Sequence, residues 1–166
     1  MPSPGLLDRF LDQGARRFVF EGRECGGHVG PRTSFALWEQ QIEILLACDH
    51  LEDVSVLFAG GVHDGLSGAM VAAMAGTLAA RGVKVGALMG TAYLFTREAV
   101  ASGAIQPAYQ RMAVECRDTV LLGTGPGHAT RCVESDYVRT FRTEKARLEG
   151  EGLEARDIWE QLERLN

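Results

Sequence analysis

The stretch Val54-Ser-Val-Leu-Phe-Ala-Gly-Gly61 joins a short apolar run directly to a pair of glycines. The run has the length of a strand and is apolar at nearly every position, which is typical of a strand buried on both faces. Glycine is suited to a point where the chain turns sharply or passes close to a ligand. The segment therefore predicts a buried strand that ends in a glycine-rich turn.

The same succession of strand and glycine occurs once before and once after this stretch. Arg17–Glu21 is a short β-rich run, and the loop that follows it carries Glu24-Cys-Gly-Gly-His28. Lys84–Met89 is a third strand candidate, followed at once by Gly90 and Thr91. Three strands, each ending in glycine, indicate repeated strand–turn–helix units.

Helical patterns precede, separate and follow these strands. The first covers residues 6–11. The second is capped by Thr33 or Ser34 and runs to about Cys48, and the third is opened by Asp64 or Ser67 and runs to Arg81. The fourth runs from Thr91 to about Ala101. Apolar strands that alternate with helices are typical of a parallel sheet covered by helices, with right-handed crossovers. We therefore expect an α/β fold.

The last third of the chain has a different pattern. Pro107–Cys116 has helical character, and Thr119–Leu122 with Ala129–Val133 predicts a short hairpin around a glycine-rich turn. From Ser135 onward the chain is charged and helix-prone, with a break near Gly150. We expect the hairpin to be followed by two helices.

Composition narrows the possible functions. The chain has 166 residues, 46% hydrophobic residues and a formal net charge of -5, which indicates a folded domain and argues against a nucleic-acid partner. No apolar run is long enough to cross a membrane, and the first residues lack the pattern of a secretion signal. The cysteines have the spacing of neither a zinc site nor a disulfide framework, so we expect a cytoplasmic protein without a structural metal. They are Cys25, Cys48, Cys116 and Cys132.

The glycines after the second and third strands suggest a phosphate site. The carboxyl ends of parallel strands lie at one edge of a sheet, so Gly60, Gly61 and Gly90 should lie close together. Their N–H groups, the following helix N-termini and the Thr91 hydroxyl can bind a phosphate. The alternative is that each glycine only permits a tight turn; two adjacent strand ends with the same feature favour phosphate binding.

Five side chains in these loops and in the hairpin turn can carry chemistry or merely shape the chain. His28 follows two glycines, so it can be an acid or base beside a ligand or a loop histidine that bonds to the backbone. His63 and Asp64 are favoured as turn and helix-cap residues. Cys25 is favoured as a small buried residue rather than a nucleophile, and His128 in the hairpin turn as structural.

Four segments, in the same order, resemble the nitronate monooxygenases, formerly called 2-nitropropane dioxygenases. Glu24–His28 is similar to their E-x-G-G-H signature, and Phe58–Gly65 to their A-G-G-I-x-D-G segment. Leu88–Leu94 resembles Q-M-G-T-x-F-L, and Asp118–Leu121 matches a pattern further downstream. The resemblance runs from about residue 18 to residue 133, and four ordered motifs are far more specific than one.

This resemblance implies the C-terminal portion of an FMN-binding (β/α)8 TIM barrel. In that family the E-x-G-G-H loop follows the sixth strand, so the chain supplies the last three strands, a short hairpin and helices. Residues 1–133 would be a partial barrel domain and residues 134–166 a C-terminal helical extension. Three strands cannot close a barrel, so an apolar sheet edge should be exposed and the missing barrel half should come from the same chain or a partner chain.

The resemblance also implies roles for individual residues. His28 matches the family's active-site histidine, the acid or base beside the flavin. The residues implied to contact FMN are Gly26, Gly27, Gly60, Gly61, Leu88, Met89, Gly90 and Thr91. Leu88 stands where the family has glutamine, so that residue's polar contact is absent here.

Three functions follow from these roles. The first is FMN-dependent oxidation of alkyl nitronates, with His28 as the base. The second is an FMN-dependent enoyl-thioester (enoyl-ACP) reductase of polyketide or fatty acid biosynthesis, with NAD(P)H as the reductant; the segment from Gly30 to Glu39 is more similar to such members. The third is a non-catalytic module that binds a phosphate-bearing ligand. The substrate would accordingly be a small molecule or an acyl thioester.

Overall fold

The computed structural model describes residues 1–125 and 127–165. Its strands are β1 (Arg17–Glu21), β2 (Gly27–Val29), β3 (Ser55–Ala59), β4 (Lys84–Leu88), β5 (Thr119–Gly125) and β6 (His128–Val133). Its α-helices are α1 (Pro4–Asp12), α2 (Ser34–Leu46), α3 (Gly65–Ala80), α4 (Arg97–Ala101), α5 (Pro107–Glu115), α6 (Asp136–Gly150) and α7 (Ala155–Glu163). A short 3-10 helix spans Thr91–Phe95.

The three predicted strands form a parallel sheet in the order β1-β3-β4, which confirms the α/β class. Phe18 lies opposite Val56, and Val56 lies opposite Val85. Phe20 and Phe58 make an edge-to-face contact with ring centroids 5.4 Å apart, and Trp38 of α2 packs on Phe58 at 5.5 Å. The continuous apolar runs are therefore explained by burial between this sheet and its helices.

The sheet is open, and one part of it is exposed as expected for the last three strands of a barrel. The apolar side chains of Val85 and Leu88, both on β4, are 37% and 39% exposed. Among the described residues β4 pairs only with β3. The predicted exposure of an apolar edge is confirmed, whereas full burial of the third strand on both faces does not occur within this chain.

A second sheet contains the predicted hairpin and one strand that was not predicted. Its strands are antiparallel in the order β2-β6-β5, with His28 opposite Thr130. The sequence predicts a loop at residues 27–29, because the glycines there carry little β-propensity. The strand forms through its backbone pairing with β6, which lies far away in the sequence.

The C-terminal helices pack on this second sheet and form a separate hydrophobic core. Its buried members are Leu122, Val138, Phe141, Leu148, Ile158 and Leu162. The core thus joins the hairpin to α6 and α7, across the expected boundary at residue 133. That division of the chain into 1–133 and 134–166 stays a prediction.

One predicted helix is divided in two. The segment from Thr91 to Ala101 was expected to be a single helix, but the 3-10 helix ends at Phe95 and α4 begins at Arg97. Thr96 separates them with an extended backbone, and its side chain caps α4 by accepting a hydrogen bond from Ala99 N. Within the described residues, no helix combines the length and hydropathy needed to span a membrane.

Candidate functional site

The ends of β1 and β3 are packed tightly against the start of α2. Gly22 N donates to Ala59 O at 3.0 Å, which ties the two strand ends together. A Cβ atom on Gly60 would lie 2.1 Å from Ser34 Oγ, and one on Gly22 would lie 2.0 Å from the same atom. Gly60 also has a φ of +130°. Glycine at both positions is therefore required by the close approach of Ser34.

Glu24 of the E-x-G-G-H segment caps helix α2. Its Oε2 atom accepts hydrogen bonds from Ser34 N at 2.7 Å and Ser34 Oγ at 2.5 Å. Thr33 occupies the N-cap position but makes no side-chain capping bond. A carboxylate that binds free N–H groups at a helix start is stabilising. This role was missed because no local spacing rule connects residues 24 and 34.

The Glu24 cap predicts a measurable loss of stability. Replacing Glu24 with alanine should lower the free energy of unfolding by about 1 kcal/mol, the usual effect of losing a helix cap. Glu39→Ala is the matched control, because this exposed carboxylate lies on α2 itself and makes no capping contact. Urea unfolding compares the two; equal midpoints for both variants would show that the cap contributes nothing.

The loop after β1 reaches the other two strand ends. A Cβ atom on Gly26 would lie 2.9 Å from Thr91 Oγ1, and one on Gly61 would lie 3.6 Å from Glu24 Cβ. The loop therefore lies beside Gly61 through Glu24 and beside Thr91 through Gly26. We call this edge, formed by residues 22–27, 60–61 and 90–91, the glycine rim.

The glycine rim has open space beside two of its members. A Cβ atom on Gly27, which has a φ of +79°, or on Gly90 would meet no atom within 4 Å. Thr91 is exposed, so its hydroxyl is accessible. Met89 is half-buried and packs against the main core, whereas Leu88 is exposed. Exposed backbone and a hydroxyl fit a phosphate group, and the FMN-binding role of these residues stays a prediction.

His28 is on β2, two residues beyond the contact between Gly26 and Thr91. Because it lies opposite Thr130, its side chain is on the same sheet face as Thr130, Leu122 and Cys132. Leu122 belongs to the core that α6 and α7 cover. His28 is exposed and, within the described part of the chain, its ring makes no hydrogen bond. A backbone-bonded loop histidine is therefore not what is observed.

The His28 side chain lines a cavity of about 440 Å³ between α5, the hairpin and the C-terminal helices. We call it the His28 cavity. Its apolar lining comes from Met112, Leu122, Val133, Phe141, Trp159 and Leu162, and its polar lining includes Tyr109, Thr130, Ser135 and Glu163. The sequence does not indicate that these residues share a cavity, since they come from elements whose packing has no local signal.

His63 and Asp64 are turn and cap residues, as predicted. Asp64 Oδ1 accepts a hydrogen bond from Ser67 N at 2.8 Å, and Ser67 Oγ accepts one from Asp64 N at 3.0 Å. The two bonds form a capping box. The hydrogen bonds from Ser67 lower the pKa of Asp64. His63 Nδ1 lies 2.7 Å from Gly61 O. The side chain of His128, a further candidate, lies outside the described residues.

Cys25 is half-buried, which agrees with its assignment as a small packed residue. Burial, with the nearby carboxylates of Glu21 and Glu24 as further causes, raises the pKa of the Cys25 thiol to about 11. The thiol is therefore protonated near neutral pH and is a poor nucleophile. Among the described residues, no group of three histidine, cysteine or acidic side chains can hold a metal ion.

The raised pKa predicts slow alkylation of Cys25. Iodoacetamide should modify it slowly near neutral pH and faster only as the pH approaches 11, because only the thiolate reacts. Peptide mapping by mass spectrometry measures the rate, with glutathione as the reference thiol and Cys25→Ser to confirm the assignment. Alkylation at the rate of glutathione near neutral pH would contradict the prediction.

Consecutive parallel βα units with glycine turns at their carboxyl edge are the architecture of part of a (β/α)8 barrel. The sequence profile described as nitronate monooxygenase matches residues 7–161, and the chain belongs to this family.

The chain is also similar to solved structures and to a curated relative. FabK from Thermotoga maritima superimposes with a TM-score of 0.65 and 26% identity, over 91% of this chain and 43% of that chain. A point variant of the same FabK superimposes with a TM-score of 0.61 and 26% identity, over 87% of this chain and 42% of that chain. A (3aS,4S,5R,7aS)-5-hydroxy-7a-methyl-1-oxo-octahydro-1H-indene-4-carboxyl-CoA dehydrogenase of Rhodococcus jostii (strain RHA1) is 28% identical over 128 residues, 77% of this chain.

The chain spans less than half the length of each of these relatives. It covers 43% of FabK and 31% of the Rhodococcus dehydrogenase. Together with the open three-stranded sheet, this identifies the chain as the last three strands of a TIM barrel with a hairpin and helices. The expected fold is thus confirmed.

Proposed function

We propose that this chain is the C-terminal part of an FMN-dependent oxidoreductase in which His28 is the acid or base. The observation that supports it most is the loop of residues 22–28. One part of the loop, at Gly26, contacts Thr91 in the glycine rim, and its end places His28 in the cavity. One short loop thereby joins the proposed phosphate-binding glycine rim to the proposed proton-transfer group, His28.

The glycine rim is the proposed holder of the FMN phosphate. Backbone N–H groups of Gly60, Gly61 and Gly90 and the Thr91 hydroxyl are the donors, and Gly27 permits close approach of the cofactor because nothing occupies the space of a Cβ atom there. Bound FMN supplies hydride transfer. The chain itself supplies the phosphate contacts, the proton-transfer imidazole and the cavity walls.

The role of His28 depends on the substrate. With a nitroalkane, an imidazole nitrogen takes a proton from the carbon next to the nitro group and so forms the nitronate that is oxidised. With an enoyl thioester, the imidazole delivers a proton to the carbon next to the thioester carbonyl, which completes the reduction of the double bond. The apolar side chains of the His28 cavity lie beside this imidazole and can pack against the hydrocarbon part of a substrate.

Two substrate classes are supported by different observations. The family as a whole supports the nitronate. The size and apolar lining of the cavity favour the enoyl thioester, because an acyl chain needs such walls and a small nitronate does not. The relative from Rhodococcus, named for a carboxyl-CoA compound, favours the same class. A non-catalytic phosphate-binding module is the third candidate, supported by the glycine rim alone.

We further propose that the other barrel strands come from the same chain or from a partner chain. Strand β4, which pairs only with β3 among the described residues and carries the exposed apolar side chains of Val85 and Leu88, is the edge that those strands would cover. A closed barrel leaves no such edge unpaired.

Spectroscopy of the complete protein that contains this chain tests the proposal. We expect a yellow protein with flavin absorbance in the visible range. Bleaching by NAD(P)H followed by reduction of a crotonyl thioester supports the reductase, and nitronate-dependent oxygen consumption supports the monooxygenase. A colourless protein that takes up no added FMN would contradict both enzyme proposals and leave the phosphate-binding module.

A further inference from the structure

Arg131 makes an unusual set of hydrogen bonds to the loop that carries His28. Its Nε and Nη2 atoms both donate to Arg23 O, at 3.1 and 2.8 Å. Its Nη1 atom donates to Thr119 Oγ1 at 2.7 Å. A single guanidinium therefore donates two hydrogen bonds to one carbonyl of the loop and a third to the neighbouring strand β5.

The same residue holds the other end of the loop through its backbone. Arg131 lies opposite Gly27 in the pairing of β6 with β2, and His28 comes next, opposite Thr130. The segment from Arg23 to Gly27 is thus closed at both ends by Arg131, through its side chain at one end and through the β6 ladder at the other. We call this the Arg131 clamp.

The clamped segment needs such a constraint because its last two residues are glycines. Gly26 and Gly27 have no side chains to pack, and Gly27 has a φ of +79°, a region that glycine enters and leaves easily. Fixing the Arg23 carbonyl restricts the conformations of both glycines further, beside the cap that Glu24 forms on α2. His28 follows directly, so its direction depends on them.

We propose that Arg131 is a positioning residue that fixes His28 for proton transfer; the inference rests on the proposed function. Arg131 does not line the His28 cavity, and its side chain is on the opposite face of β6 from Thr130. It acts through the loop, without touching the substrate. Its removal should therefore impair the proton-transfer step while leaving the cavity walls and substrate binding intact.

Lysine cannot replace arginine in this clamp. An ammonium group is a point donor that cannot offer two parallel N–H groups to one carbonyl and a third to Thr119. In the complete protein, Arg131→Lys should lower kcat by about 10²-fold, the usual effect of misplacing a catalytic group by an ångström, with KM and flavin content unchanged. Thr119→Val is the matched control, since it removes one bond and keeps both bonds to Arg23 O; its loss in kcat should be much smaller.

A double-variant cycle separates positioning from general destabilisation. If Arg131 acts only through His28, then Arg131→Lys should have no further effect on the residual turnover of His28→Ala. A similar fold-loss in both backgrounds would overturn the proposal. A rise in KM or a loss of flavin that accounts for the whole loss of activity would also overturn it.

Hydrogen–deuterium exchange tests the clamp independently of the reaction. Arg131→Lys should speed amide exchange in the peptide that covers residues 24–28, and leave exchange in β1 and β3 unchanged. If the wild-type protein shows no His28-dependent turnover, the proposed function fails, and the exchange data still decide about the clamp. Unchanged exchange in residues 24–28 would overturn it.

Discussion

Replacing His28 with alanine in the complete protein is expected to lower turnover by about 10²–10⁴-fold, the usual contribution of general acid–base catalysis. The side chain is exposed to the cavity and bonds to nothing among the described residues, so its removal should disturb no structural contact. The pairing of His28 with Thr130 uses backbone atoms and is kept by alanine. Steady-state kinetics with the better of the two substrate classes measures the effect.

The flavin content of the same variant shows whether the loss is chemical. We propose that the FMN phosphate binds at the glycine rim, so His28→Ala should retain the cofactor and its visible absorbance. His50→Ala is the control, because this exposed histidine lies in the loop before β3, at the opposite edge of the sheet. Wild-type turnover in His28→Ala would show that another group transfers the proton.

The main sheet could be predicted from sequence because its strands have local signals. A strand buried between helices is apolar along its length, and the glycine behind it marks the turn, as at Gly60 and Gly90. The start of α3 was readable to within three residues, since the sequence offered Asp64 or Ser67 there and the N-cap is Asp64. In each case the residues that determine the structure are close together in the sequence.

The surroundings of His28 could not be predicted for the opposite reason. Strand β2 exists through its pairing with β6, and the Arg131 clamp joins residues that are 108 positions apart. The cavity walls come from α5, the hairpin and the C-terminal helices. Residue type indicated that His28 was chemically capable, but only the tertiary fold shows what surrounds it.

Replacing Gly60 with alanine is expected to lower the free energy of unfolding by about 3 kcal/mol or more. Two effects add: the new Cβ atom would overlap Ser34 Oγ at 2.1 Å, and alanine is strained at a φ of +130°. Moving the Ser34 hydroxyl aside also breaks its hydrogen bond to Glu24. The neighbouring Gly61→Ala should lose only about 1–2 kcal/mol, because its Cβ atom meets Glu24 at an ordinary 3.6 Å.

Fluorescence-monitored urea unfolding measures these differences. Trp38 packs on Phe58 beside the affected turn, and Trp159→Phe leaves it as the single tryptophan, since the chain has two. Equal losses for Gly60→Ala and Gly61→Ala would show that the overlap with Ser34 is relieved without cost.

A second substitution separates overlap from backbone strain. In a Ser34→Ala background, the atoms nearest to the new Cβ of Gly60→Ala are those of Gly22, at 3.4 Å. The loss of unfolding free energy caused by Gly60→Ala should then fall to the backbone strain alone, about 1–3 kcal/mol. Gly22→Ala should not be rescued in this way, because its Cβ atom would also lie 2.4 Å from Ser34 Cα. Rescue of Gly60→Ala without rescue of Gly22→Ala would establish that the Ser34 hydroxyl fills the space beside Gly60, whereas the main chain of Ser34 fills the space beside Gly22. Both contacts lie at the rim proposed to hold the phosphate.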